Sequence, residues 1–144
     1  MIRVSVQREP IDIAAECARL EIGGAVATFT GLVRTDDGVT MLELEHYPGA
    51  TEAALRALCD TATVRWKLAG VTIVHRVGAM APGERIVFVG TTSAHRGAAL
   101  EACAFLIDQL KIDAPFWKRE VRGAEAKWVE PRVTDVTMAA RWTG

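Results

Sequence analysis

Val71-Thr72-Ile73-Val74-His75-Arg76-Val77-Gly78 and Arg85-Ile86-Val87-Phe88-Val89-Gly90, joined through Ala81-Pro82-Gly83-Glu84, settle the architecture. Both runs are rich in β-branched and apolar residues, and the second is almost unbroken, as in a strand buried on both faces at the centre of a sheet. Pro before Gly in the connection suits a type II turn. Hairpins of this kind, set among helices, argue for an α+β fold with a largely antiparallel or mixed sheet and against a doubly wound parallel one.

Working outward, the same periodicities give the order β-α-β-β-α-β-β-α-β-β. Met1 to Glu9 alternates as a strand, and Pro10 to Leu20 reads as a short helix with a proline and acidic residues in its first turn. Ala25 to Arg34 reads as a strand whose internal Gly31 marks a bulge or a close backbone approach. After the turn Thr35-Asp36-Asp37-Gly38, the stretch Met41 to Tyr47 alternates strictly and puts Leu42, Leu44 and His46 on one face. Thr51 to about Leu68 is a long helix with Leu55, Leu58, Ala62 and Trp66 near one stripe. Gly97 to Lys111 is a second, with Leu100, Cys103, Ile107 and Leu110 as its buried stripe and Glu101 and Asp108 on the wet side. Ser93 is a candidate N-cap for that helix. Phe116 to Val121 and Lys127 to Val129 read as two short strands about an Arg122–Ala126 turn, and 134–142 as a last short helix.

The 144 residues are half hydrophobic, which gives one domain, 1–144, with a real core and room for a small appended β subdomain. A formal net charge of −1 excludes a chain that binds nucleic acid through its overall field, so any anion site must be a local cluster. There is no apolar run of about 18 residues and no signal-peptide core, so the expectation is a cytoplasmic protein without a membrane span. Cys17, Cys59 and Cys103 are scattered and odd in number, and read as small buried hydrophobes. Dinucleotide, Walker, nucleophile-elbow and zincin motifs are absent. His46, His75 and His95 lack ligand spacing, so no metal and no cofactor is expected, and His46 and His75 read as core or subsurface histidines.

The local cation clusters carry the chemistry. His95-Arg96 follows a buried strand and opens a helix, where backbone N–H groups and an arginine fork favour an anion. Lys111, Lys118, Arg119 and Arg122 fall close together at the other end, beside Phe116 and Trp117. Cations with apolar walls suit a phosphorylated, ring-containing small molecule. On a strand, Lys118 and Glu120 face one way and Trp117 and Arg119 the other; a charge run on an edge strand is usually a solvated face, but this local excess of cations beside aromatic rings favours a site. The helix between His95 and Lys111 spans on the order of 20–24 Å, too far for one small substrate. The expectation is therefore a two-fold dimer in which His95-Arg96 of one chain meets Lys111 and Lys118 of the other.

Seven strings then take on a joint meaning: Phe29-Thr30-Gly31-Leu32-Val33-Arg34, Leu44-Glu45-His46-Tyr47-Pro48-Gly49, His75-Arg76-Val77-Gly78, Pro82-Gly83-Glu84, Ser93-Ala94-His95-Arg96, Ala114-Pro115-Phe116-Trp117-Lys118-Arg119-Glu120, and Trp128-Val129-Glu130. In this order, over nearly the whole chain, they resemble the large (catalytic) subunit of molybdopterin synthase. The resemblance implies an α/β hammerhead-like fold with flanking helices and an added β subdomain. It implies a homodimer binding two small ubiquitin-like sulfur carriers, a heterotetramer in all, each carrier ending in a Gly-Gly thiocarboxylate. The implied activity is that of a sulfurtransferase: two sulfurs pass to cyclic pyranopterin monophosphate, forming the molybdopterin dithiolene of the molybdenum cofactor. Lys111 and Lys118 match the family's active-site lysines. Arg34, His95 and Arg96 match its pterin-phosphate contacts, Arg132 a further arginine near the pocket, and Leu32, Val33, Arg119 and Glu120 other substrate-contacting positions. Leu32 stands where a lysine is common, and Thr35–Gly38 is a short form of a loop often longer. With the sulfur supplied as a nucleophile by the carrier, no catalytic cysteine is needed, and the lysines can serve as acid, base or acyl acceptor.

Two other readings of the residues compete: a non-catalytic α+β module that binds a phosphorylated metabolite, and a structural partner whose cationic strand docks an acidic protein.

Overall fold

The computed structural model describes residues 1–34, 38–128 and 138–142. Its elements are β1 (Ile2–Gln7), α1 (Ile13–Leu20), β2 (Ala25–Leu32), β3 (Met41–His46), α2 (Ala50–Trp66), β4 (Gly70–Arg76), β5 (Gly78–Met80), β6 (Arg85–Ser93), α3 (Arg96–Asp113), β7 (Phe116–Arg122) and β8 (Glu125–Trp128). The fold is α+β, as expected. Short β5 is the one described strand absent from the sequence reading; it pairs with β3 just ahead of the Pro82-Gly83 turn. Gly83 sits at φ +89°, the left-handed value that a type II turn requires at its third position.

Strands β1-β4-β6-β2 form a mixed sheet, β1 parallel to β4 and the other neighbours antiparallel. The apolar runs of β4 and β6 lie at its centre, where each alternates between two helical layers. Val74 and Phe88 face α1, with Ile11 and Leu20. Val71, Ile73, Val87 and Val89 face α2 and α3, with Leu55, Cys59, Ala102 and Leu106. Gly31 lies at a register shift against β6, and a Cβ there would stand 2.7 Å from Val87 Cγ1, so both readings of this glycine hold.

The second sheet, β5-β3-β7-β8, is antiparallel throughout. One face buries Leu42, Leu44 and Met80 with Val33 and Val77, and Val6 and Ile86 touch both this cluster and the larger core. Strand β7 lies between β3 and β8, so its charges are not those of an edge strand.

Helix α1 starts later than the sequence suggests because Asp12 caps it, its Oδ1 accepting from Ala15 N at 3.1 Å. Helix α3 departs in phase. Leu100 is 61% exposed, while Ala99, Ala102, Cys103, Leu106 and Leu110 form the buried stripe. Asp108 is buried rather than wet, because Oδ2 accepts from Arg141 Nε at 3.0 Å and Trp142 Nε1 at 2.7 Å. Ser93 is not the N-cap; it ends β6, and His95 takes the cap position with extended backbone and no side-chain bond. Arg132, the Thr35–Asp37 part of the expected turn, Val129 and 134–137 of the expected last helix lie outside the described residues; 138–140 are helical. Among the described residues, no helix is long and apolar enough to cross a membrane.

Candidate functional site

Helix α3 fixes what can meet what. It runs back along β6, with Thr91 Oγ1 donating to Ala99 O at 2.6 Å and Cys103 Sγ lying 3.8 Å from Val89 O. Its C-terminal end therefore lies over the start of β6, which pairs there with the end of β2. This gathers Lys111 at the same end of the sheet as Leu32, Val33 and Arg34. His95 and Arg96 lie at the opposite end, with Arg96 about 22 Å from Lys111 along an 18-residue helix. Within one chain the structure divides the expected site into two groups.

The Lys111 end is built as follows. His75, on the α3-facing side of β4, is buried, and its Nδ1 lies 2.9 Å from Arg76 O. That contact requires the proton on Nδ1, because a carbonyl can only accept. The ring stacks on Phe116 at 4.1 Å and 26°. Burial pushes the imidazole's pKa down to about 4 against the pull of the Arg76 carbonyl, and the Lys111 charge lowers it further. The ring is thus neutral at physiological pH. Phe116 opens β7 opposite His46, with Lys118 opposite Leu44 and Glu120 opposite Leu42. Residues directly opposed across a sheet share a face, so Lys118 and Glu120 emerge on the side of the second core, next to Val33. Lys118 Nζ is 3.8 Å from Glu120 Oε1, and Arg122 Nη2 is 2.7 Å from Glu120 Oε2.

Arg119 emerges on the other face of β7, paired with Glu43 Oε1 at 3.1 Å. The structure does not bring its side chain to Lys118. Val33 is buried, its N donating to Glu84 O at 2.8 Å, whereas Leu32 is 55% exposed at the bulge. Among the described residues, the side chains of Arg34, His95, Arg96 and Lys111 make no hydrogen bond or ion pair and are exposed to solvent. The three charged ones, Arg34, Arg96 and Lys111, are left unneutralised by the fold itself, and such groups are the ones an anionic ligand would engage.

Two of the three thiols are buried in the core. Burial raises Cys59 to about 12 and Cys103 to about 11, so both stay protonated. No group of three or more metal-ligating side chains occurs among the described residues.

Sequence reasoning read His75 as a hydrogen-bonded core or subsurface histidine, which is where the structure places it. It gave no sign that His75 and Thr51 hold the connection between Lys111 and Lys118. No local pattern carries that, since the three segments are distant in sequence and meet only by folding.

A family model described as "MoaE protein" matches residues 6–113. The chain is 48% identical to the Vibrio cholerae "molybdopterin synthase catalytic subunit", over 97% of each chain. It superposes on a Burkholderia ambifaria structure, "molybdopterin biosynthesis MoaE protein", with a TM-score of 0.86 and 44% identity, covering 99% of this chain and 98% of that one. A Helicobacter pylori structure, a complex of subunits 1 and 2 of molybdopterin-converting factor, shares the fold at a TM-score of 0.70 and 21% identity, covering 90% and 91% of the two chains. Motif order, fold and full-length similarity agree, and the chain belongs to the MoaE family.

Proposed function

We propose that this chain is a molybdopterin synthase catalytic subunit, a sulfurtransferase that takes sulfur from the C-terminal thiocarboxylate of a small carrier protein and builds the dithiolene on cyclic pyranopterin monophosphate. The observation that carries the reading is the His75–Phe116 stack, which feels the Lys111 charge and shares a face of β7 with Lys118, with Arg34 at the same end of the sheet. His95 and Arg96 complete the phosphate site from a second copy of the chain. The length of α3 supports this, because it keeps the two groups apart within one protomer. Arg132 is assigned to the same pocket by its place in the family pattern.

The atoms balance without a protein sulfur. The carrier's thiocarboxylate sulfur forms a C–S bond with the pterin side chain, and the acyl–sulfur bond then breaks. The carrier's acyl group must pass to a nucleophile, either water or a lysine amine. A second carrier repeats the transfer; one C–S bond displaces the phosphate oxygen and opens the cyclic phosphate at a carbon–oxygen bond, and the other displaces an oxygen that leaves as water. The Arg34 and Arg96 cations, with the His95 ring as a hydrogen-bonding group, oppose the charge that develops on the leaving phosphate oxygen. Lys111 and Lys118 stand where protons must move. Three free thiols suit the reducing cytoplasm, where we place the protein.

The test is reconstitution. Purified chain, thiocarboxylated carrier and pterin precursor should yield the dithiolene product, and Lys111→Ala should lower turnover by about 100-fold or more while dimer and carrier binding survive. A phosphometabolite-binding module would give no product with the wild-type chain.

A further inference from the structure

Between Lys111 and Lys118 the chain changes from helix to strand through Ala114-Pro115-Phe116, and two contacts from distant segments grip that connection. Thr51, fully buried in the first turn of α2, donates its hydroxyl hydrogen to Pro115 O at 2.8 Å and accepts from Tyr47 N at 3.0 Å. Pro115 has no N–H of its own, so this carbonyl is its only backbone anchor. One residue on, Phe116 lies against the His75 ring, whose orientation the Arg76 carbonyl fixes. Behind the connection, Ala114 N still bonds to Leu110 O at 3.1 Å and ties it to the last turn of α3. Ahead of it, Phe116 and Lys118 share one face of β7.

We propose that Thr51 and His75 are positioning residues for the sulfur-transfer site: they clamp the 114–116 connection from α2 and β4 and so set the separation and direction of Lys111 and Lys118. The inference rests on the proposed synthase activity. Neither residue needs to touch substrate. The Thr51 hydroxyl fixes the height of Pro115, and the flat face of the imidazole fixes the plane of Phe116. An error of about 1 Å in a reacting group can cost up to about 100-fold in rate, so a clamp at the midpoint between two catalytic amines has leverage.

Thr51→Val keeps the shape and removes the hydroxyl; Thr51→Ser keeps the hydroxyl. With saturating carrier, Thr51→Val should lower kcat about 10-fold and leave the precursor KM within about two-fold, and Thr51→Ser should restore kcat to within about two-fold. Amide hydrogen exchange at 116–118 should speed up in Thr51→Val and not in Thr51→Ser. A folded Thr51→Val with wild-type kcat and wild-type exchange overturns the proposal. Wild-type chain that makes no product sinks the synthase reading instead, and exchange then judges the clamp alone. Should Thr51→Val fail to fold, His75→Ala against His75→Phe decides: the clamp requires slow turnover and fast 116–118 exchange in the first, and rescue of both where the stacked ring is kept. Equal behaviour of the two overturns it.

Discussion

Strands β4 and β7 are both interior strands of four-stranded sheets, each seven residues long, yet every residue of β4 is buried and none of β7 is. The difference lies in what covers the sheets. Strand β4 runs between α1 on one side and α2 and α3 on the other, so both faces are mostly apolar; Thr72 is its one polar residue before His75 and Arg76 at its end. No residue of strand β7 is fully covered: the face that meets the small cluster through Phe116 also carries Lys118, Glu120 and Arg122, and the other face carries Arg119. The rigid sheet supplies position and the half-covered sheet supplies charge. His75 against Phe116 is one place where they touch.

The comparison breaks most visibly in the double-covered sheet. Phe88→Ala removes a fully buried ring between α1 and β6 and should cost about 3–5 kcal/mol, read as a lowered denaturant midpoint at unchanged slope. A loss below about 1 kcal/mol would mean that the α1 layer is not a tight core.

The next effect belongs to the joint. A histidine held near pKa 4 when folded and 6.5 when unfolded binds its proton more tightly in the unfolded chain. Stability should therefore be full above about pH 6.5 and fall as the pH drops toward 4, by at most about 3 kcal/mol from this residue. His75→Phe should flatten that slope. Glu16, whose pKa the Arg3 fork lowers below 4.5, contributes its own loss only at still lower pH. An unchanged slope between pH 6.5 and 4.5 in His75→Phe would refute the assignment.

The smallest effect should come from the open face. Trp128 on β8 is 59% exposed and meets Trp117 edge-on at 5.8 Å, so Trp128→Ala should cost about 1 kcal/mol or less in thermal or denaturant unfolding. A loss as large as that of Phe88→Ala would show that the second sheet is covered on both faces after all.

The central hairpin, both long helices, the Gly31 bulge and the Pro82-Gly83 turn were legible because each is written in residues close together in the chain. The phase of α3 was not. Leu100 and Ile107 outrank Ala99 and Ala102 in hydrophobicity, and both possible stripes share Cys103 and Leu110, so the pattern points to the wrong rotation. What turns Asp108 inward is Arg141 and Trp142, more than thirty residues downstream. The charge run of β7 looked like an edge because nothing in it reveals that β8 pairs outside it. The candidate site shows the same division. Its cations could be listed from the sequence, but the opposed faces of Lys118 and Arg119 acquired meaning only once Leu44 and Glu43 were set against them.

By itself the sequence determined the local elements and one long-range fact. A continuous helix from Arg96 to Asp113 has a fixed rise per residue, so His95 and Lys111 cannot share a small ligand within one chain. Only the tertiary structure decided that Thr51 reaches Pro115 and that His75 stacks on Phe116 between the two lysines. Side-chain hydrogen bonds and ring stacking act over a few ångströms of space, and the chain brings those residues that close only when both sheets and α2 have packed.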